Sequence, residues 1–246
     1  MPEKTIRIFH WNVKYADPTK DSNASKYDSI ARSIARVEAD VVVLTEITTK
    51  ADATRDLILA KLIALGKDYG HGAVLHVDGG NNEHHLFLVK RSSGYNVAKS
   101  RVIGFDHKGT RDYQIGAGKR GVGLININHT AHPTTYLRIL SAHPSPCAYT
   151  NSNSVKNAQS VVQNKSAGKN KTVAFAFMVA DFNSESDGSV TSSASVSKTG
   201  ANTHSSGMEL DFAVHEGALD VLPSGSRVQD RMSDHSYQYY DVKYQY

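Results

Sequence analysis

The chain has 246 residues, enough to bury a substantial core as one large domain or two small ones. Charged residues make up 21% and hydrophobic residues 39%, as in an ordinary folded domain, and no apolar stretch is long enough to cross a bilayer. Cys147 is the only cysteine, which excludes an intramolecular disulfide and cysteine-based zinc sites, and the net charge of +4 with a pI of about 9.0 suits a polyanion such as nucleic acid as well as a mildly basic protein with no such partner.

Met1-Pro2-Glu3-Lys4 runs straight into a strand-like segment, so no signal peptide is visible. That leaves a cytoplasmic protein and a secreted or effector chain stripped of its leader equally open. Thr5–Trp11 alternates and then turns apolar, which predicts a strand. Ser25-Lys26-Tyr27-Asp28 has the form of a capping box, and Ile30, Ile34 and Val37 recur behind it at helical spacing to about Glu38. Asp40–Leu44 is a short β-branched run that predicts a buried strand, and a second helix is expected over Asp52–Leu65 with Gly66 as its stop.

Further along, strands are expected at Ala73–Val77, His85–Lys90, Tyr95–Val102, Val122–Asn128, Thr135–Ala142, Thr172–Val179, Met208–His215 and Ser236–Tyr244, with a helix near Ser154–Asn164. Two loops stand out: Gly104–Lys119, which is basic, and Ser184–Gly207, whose Ser, Thr and Gly content predicts mobility. Without repeats or an evident linker, the expectation is a single domain over residues 1–246, with packed sheets and outer helices.

Polar residues stand at strand ends throughout. Asn12 follows Phe9-His10-Trp11, Glu46 follows Val41–Thr45, His143 follows Leu140-Ser141-Ala142, and Asp181 and Asn183 follow Phe177–Ala180. Asp211 lies within Leu210–Val214, and Asp234 and His235 precede the last strand. Each alone is an ordinary turn former or cap. A charged group beside a buried strand is costly unless paired or bound to metal, so the ordered set implies convergence on one site.

Trp11-Asn12-Val13, Leu44-Thr45-Glu46, Ser141-Ala142-His143, Ala180-Asp181-Phe182-Asn183 and Ser233-Asp234-His235 resemble, in order, the motifs of the endonuclease/exonuclease/phosphatase superfamily. The likeness extends over about residues 6 to 242. It implies an α/β fold, a four-layer α/β/β/α sandwich of two mainly antiparallel sheets with outer helices, as in deoxyribonuclease I. Glu83–Leu88 is similar to the deoxyribonuclease I segment whose Glu orients the first catalytic His, and Gly207–Val214 to the segment of the cytolethal distending toxin nuclease subunit around the Asp supporting the second.

The resemblance implies a magnesium-dependent phosphodiesterase, with manganese or calcium as substitutes, most closely an endonuclease leaving 5′-phosphate and 3′-hydroxyl ends on DNA. Glu46, Asn12, Asp234 and Asp181 are the expected metal ligands. The catalytic set is His143, His235, Glu83, Asp211, Asp181 and Asn183, with Glu83–His143 and Asp211–His235 as pairs. Arg120, Asn183 and Lys14 are expected to bind substrate phosphate. The residue types suit the chemistry: a hard cation offsets phosphodiester charge, two imidazoles exchange protons near neutral pH, and a carboxylate behind each fixes its tautomer. Which imidazole is acid and which base stays open.

Ala180 stands where the family has Gly, and Thr45 where it has Gln. Thr48 and Asn81 stand where deoxyribonuclease I has the Arg and Tyr it uses in the minor groove, so duplex contacts should be weaker or placed differently. The alternatives are a phosphatase or phospholipase acting on inositol phosphates, phosphoinositides or sphingomyelin, and a non-catalytic DNA-binding protein. The inositol 5-phosphatase type Trp-Cys-Asp-Arg segment is lacking, since Trp11 is the only tryptophan. His84-His85 fits no standard zinc motif. Tyr237, Tyr239, Tyr240, Tyr244 and Tyr246 suggest aromatic packing of a final strand rather than a base-stacking platform. The sequons at Asn23, Asn128, Asn164 and Asn170 say little in a chain so rich in Asn and Ser. A monomer is expected.

Overall fold

The computed structural model describes residues 3–19, 24–78, 82–103, 121–144, 152–164, 171–183, 194–225 and 233–246. Each of two sheets is organised around one parallel pair. In the first, β1 (Glu3–Ala16) runs parallel to β2 (Val41–Ile47), and α1 (Ala24–Val37) connects them. After α2 (Ala51–Ala64) come β3 (Tyr69–Asp78) and β4 (Glu83–Lys90), and β4 pairs antiparallel to β2. The second sheet holds β5 (Tyr95–Ile103), β6 (Val122–His129) and β7 (Thr135–Ala142); α3 (Ser152–Gln163) then leads to β8 (Thr172–Asp181), parallel to β7.

The short β9 (Ser195–Ser197) and β10 (Asp211–Glu216) complete that sheet. The chain then returns to the first through β11 (Asp220–Gly225) and β12 (Gln238–Gln245). The two six-stranded orders are β11-β12-β1-β2-β4-β3 and β5-β6-β7-β8-β10-β9. This is the predicted α/β/β/α sandwich.

Alternation of side chains divides the core into three. Between the sheets lie Ile6, Ile8, Val41, Val43, Phe87, Val89, Ile125, Ile127, Leu137, Ile139, Phe175, Phe177, Val179, Tyr240, Val242 and Tyr244. On the outer face of the first sheet, Phe9, Trp11, Val42, Leu44, Leu86 and Leu88 meet Tyr27, Ile30, Ile34, Ile58 and Leu62 of the helices. On the outer face of the second, Leu124, Leu140, Met178, Phe212 and Val214 meet Val155, Ala158 and Val162 of α3. Tyr237, Tyr240 and Tyr244 are core residues, as aromatic packing predicts.

Some local expectations change. Ser25 lies in the first turn of α1, and Asp28 accepts a hydrogen bond from Lys61 Nζ at 2.6 Å. The stretch read as a mobile loop contains β9, and an isolated bridge joins His204 to His235. β11 was not anticipated. Gly66 does stop α2, at φ +71°. The basic segment Gly104–Lys119, Arg120, Asn81, Cys147 and the sequons at Asn23 and Asn170 lie outside the described residues. Among the described residues no helix is long and apolar enough to cross a membrane.

Phe177 is fully buried between the sheets, against Phe175 and Tyr240. Phe177→Ala should cost about 3–5 kcal/mol of stability. Urea unfolding followed through Trp11 emission measures it, and a loss under about 1 kcal/mol would mean that this core is not close-packed.

Candidate active site

The strand parity that packs the space between the sheets also builds the site. The inward row of β1 is Ile6, Ile8, His10, Asn12; that of β4, read backwards, is Val89, Phe87, His85, Glu83. The rows of the second sheet are Leu137, Ile139, Ser141, His143 and Phe175, Phe177, Val179, Asp181, with Asp211 beginning the row of β10. The carboxyl ends of β1, β2, β7 and β8 therefore lie at the same end of the sandwich as the amino ends of β4, β10 and β12. At that end each apolar row finishes in polar groups.

Glu46 needs a special backbone to join them. Leu44 and Ile47 both face the helices although three residues apart, so alternation breaks between them, where the register against β4 also shifts. Glu46 sits in that break at φ +57°, a conformation that costs a non-glycine residue free energy and that clusters at functional sites. Lys14, Tyr15, Asn82 and Asn183 also have positive φ, at 47°, 51°, 53° and 52°.

Asp181 is the hub. Its Oδ2 accepts from Asn12 Nδ2 at 3.0 Å and lies 3.5 Å from His143 Nε2 and 3.3 Å from His235 Nε2. Its Oδ1 accepts from Asn183 N at 2.8 Å. Asn12 Nδ2 also donates to Glu46 Oε1 at 2.8 Å, and Glu46 Oε1 is 3.5 Å from His143 Nε2. Behind each imidazole stands a carboxylate: Glu83 Oε1 is 2.8 Å from His143 Nδ1, and Asp211 Oδ2 is 2.7 Å from His235 Nδ1. The main chain of His235 is pinned as well, its carbonyl accepting from Trp11 Nε1 at 2.8 Å and its N–H donating to Ser233 Oγ at 3.1 Å.

Burial and charge set the proton affinities. Burial opposes protonation of His235, but Asp211, with Asp181 and Asp234 behind it, raises the ring to about 9. Burial likewise opposes His143, and the Glu83 hydrogen bond and charge override it, so this ring is also raised. Burial pushes Glu83 up, while hydrogen bonds from His143 and His85 hold it well below the usual carboxylate range. Glu46 is raised by burial first, and the nearby charges of Glu83 and Asp181 add to it. Buried carboxylates that repel one another make an oxygen-rich pocket suited to a hard divalent cation; Glu46, His143 and Asp181 bring donor atoms within 4.8 Å of one another.

Other predicted residues are placed differently. Asp234 sits apart from that donor set: its Oδ2 accepts from Lys14 Nζ at 2.9 Å, and it groups with His204 and His235. Asn183 donates one amide hydrogen to Pro144 O at 2.9 Å. Thr48 closes the end of β2, its N and Oγ1 both donating to Ala16 O. Arg120 lies outside the described residues.

Three groups under the site were not among the expected site residues: His10, His85 (weighed only as part of a zinc motif) and Ser141. Each lies two residues along the same strand face from a predicted one: Asn12, Glu83 and His143. His85 Nδ1 is 2.6 Å from Ser141 Oγ and its Nε2 is 3.3 Å from Glu83 Oε1, so Ser141, His85, Glu83 and His143 form one chain of contacts. A Cβ on Gly123 would come within 2.8 Å of Ser141 Oγ, so glycine leaves the room this chain needs. His10 is fully buried 3.9 Å from Asp211, and burial first, then the neighbouring imidazoles, lowers it to about 3, a neutral ring.

No protein-family model and no curated protein matches the chain. Solved structures do. An endonuclease/exonuclease/phosphatase from Bacteroides vulgatus aligns over 98% of this chain and 100% of its own, at TM-score 0.70 and 17% identity. The chain has the endonuclease/exonuclease/phosphatase fold. Also similar are the mannosyl-6-phosphatase of Bacteroides thetaiotaomicron VPI-5482 (TM-score 0.67, 14% identity, 96% of this chain and 99% of that one) and D. rerio TDP2 complexed with a single-strand DNA product (TM-score 0.63, 16% identity, 98% and 99%). In this endonuclease/exonuclease/phosphatase sandwich the polar cluster spans the end of both sheets, so neither sheet holds it alone.

The raised His235 makes folding depend on pH. An unfolded histidine titrates near 6.5. Stabilisation from the protonated ring is therefore fully present below about 6.5 and is lost as pH rises through about 9. Metal-free protein should be more stable at the low end of that window by on the order of 3 kcal/mol from this ring, with His143 acting in the same direction. Urea unfolding at both ends of the window should show the difference, and His235→Gln should reduce it; an identical difference in the variant would contradict the assignment.

Proposed function

We propose that the chain is a divalent-metal-dependent phosphodiesterase, and specifically an endonuclease that hydrolyses DNA to 5′-phosphate and 3′-hydroxyl ends. The observation that carries this is the meeting of two carboxylate-backed imidazoles on one carboxylate: the Nε2 atoms of His143 and His235 lie 3.5 and 3.3 Å from Asp181 Oδ2. Such a pair can take a proton from water on one side of a phosphorus and return one to the leaving alkoxide on the other. Glu83 and Asp211 orient the rings and stabilise their charged forms.

Magnesium, with manganese or calcium as substitutes, fits the oxygen donors of Glu46 and Asp181, and Asn12, whose Nδ2 faces them, would have to turn its Oδ1 inward to join as a ligand; when bound the ion would neutralise phosphoryl charge. Asp234 would act beside this set, holding Lys14, whose half-exposed ammonium would exchange that bond for a substrate phosphate. Asn183 keeps a second amide hydrogen for a nonbridging oxygen, and Arg120 would supply a guanidinium.

Nucleic acid is favoured by the net charge of +4 and by the fold shared with a TDP2 that binds a DNA product. The finer likeness to deoxyribonuclease I and to the toxin subunit rests on Glu83–Leu88 and Gly207–Val214. A phosphatase is the second reading, favoured by the mannosyl-6-phosphatase of the same fold.

Purified protein with magnesium should nick supercoiled plasmid, and EDTA should stop it. Glu46→Ala and His143→Ala should each lower the rate by about 10²-fold or more. Phosphate release from phosphomonoesters with intact plasmid would select the phosphatase, and DNA binding without turnover of either substrate would reject the enzyme.

A further inference from the structure

At the rim of the site His204, Asp234 and His235 form a second donor group whose ligand atoms all lie within 4.8 Å of one another. His204 Nε2 is 3.7 Å from Asp234 Oδ2, and His235 Nε2 is 3.9 Å from Asp234 Oδ1. The rings of His204 and His235 are 4.7 Å apart at 59°, and their backbones are bridged. Ligands on a tetrahedral zinc stand about 3.3 Å apart, so side-chain shifts of up to roughly 1.5 Å would close the group on an ion.

Each ring has a partner behind it of the kind that orients metal-bound histidines. His235 Nδ1 is 2.7 Å from Asp211 Oδ2, and His204 Nδ1 is 2.7 Å from Ser206 Oγ. The Ser206 N–H also reaches His204 Nδ1, at 3.1 Å. Ligation through Nε2 moves the ring proton to Nδ1, which gives up that bond and donates to Ser206 Oγ instead.

We propose that His204, Asp234 and His235 form a site for an imidazole-preferring transition ion of the zinc class, distinct from the oxygen site at Glu46, and that filling it switches the enzyme off. Two imidazoles and one carboxylate suit zinc, cobalt or nickel far better than magnesium. The inhibitory part rests on the phosphodiesterase reading, because an ion on His235 Nε2 occupies the atom that would exchange protons. Lys14 Nζ, 2.9 Å from Asp234 Oδ2, competes with the ion for that oxygen.

The test titrates chelator-stripped protein in excess magnesium with cobalt or zinc, reading visible cobalt absorption and zinc calorimetry. One equivalent should bind in the wild type and in Glu46→Ala. Affinity should fall by more than about tenfold in His204→Gln and by roughly tenfold in Ser206→Ala, and it should rise in Lys14→Ala. Zinc should inhibit plasmid nicking by the wild type and spare His204→Gln. Absence of binding, or binding unchanged in His204→Gln, overturns the site. Binding that is lost in His204→Gln while zinc leaves nicking intact overturns the switch. A protein that binds as expected but never nicks plasmid contradicts the phosphodiesterase reading and leaves the site standing.

Discussion

The structure depends on one constraint: side chains of a strand alternate, and two stacked sheets bury one face of every strand they share. That buried face is apolar along most of its length and polar at one end. The end therefore holds ionisable groups in a buried space, where an unpaired charge is far more costly than in water. Glu46, Glu83, Asp181 and Asp211 meet there with His10, His85, His143 and His235, all buried or nearly so. The carboxylates make His143 and His235 more basic, and His143 and His85 offset the burial of Glu83. His10 shows the limit: fully buried beside three other imidazoles, it stays neutral.

Strands alone do not aim all these groups. The chain bends just past the polar ends, and the site side chains hold those bends with the oxygens they do not turn inward. Asn12 Oδ1 accepts from Lys14 N at 3.0 Å, and Asp181 Oδ1 accepts from Asn183 N at 2.8 Å, in both cases two residues ahead at a positive-φ position. The other atom of each side chain faces the site. Lys26 adds a further hold, its buried Nζ donating to Lys14 O at 2.9 Å. One carboxylate or carboxamide thus serves the backbone with one atom and the chemistry with the other. Replacing it disturbs both, and kinetics alone would not separate the two losses.

Elements with a strong pattern were legible from sequence. Val41–Leu44 and Thr172–Val179 are continuous because both faces of those strands are covered, one by the other sheet and one by helices. β9 and β11 were not legible because they are edge strands with little buried surface; β11 also carries Pro223, and residues of both are half-buried or exposed. Polar residues at strand ends were visible as a set, since each interrupts an apolar run. His10, His85 and Ser141 were hidden because each lies inside such a run, where a polar residue is usually taken as incidental. Counting back by two from Asn12 and His143, and forward by two from Glu83, would have found them. His204 was beyond reach: it is brought to His235 by a bridge between two loops, and no periodicity encodes that contact.

Asp234 marks the boundary between two kinds of cation chemistry in one slot. Inward of it, Glu46 and Asp181 offer oxygens to a hard ion. Outward of it, His204 and His235 offer nitrogens, and Lys14 already supplies a positive charge to the same carboxylate. Magnesium keeps its water and prefers oxygen, so it has little reason to move outward. A zinc-class ion prefers nitrogen and tolerates few ligands, so it gains more at the rim than within. The two sets meet at His235, whose Nε2 lies 3.3 Å from Asp181 and 3.9 Å from Asp234. A ring with one free nitrogen cannot ligate an ion and exchange a proton at once, so occupation of one site must be felt at the other.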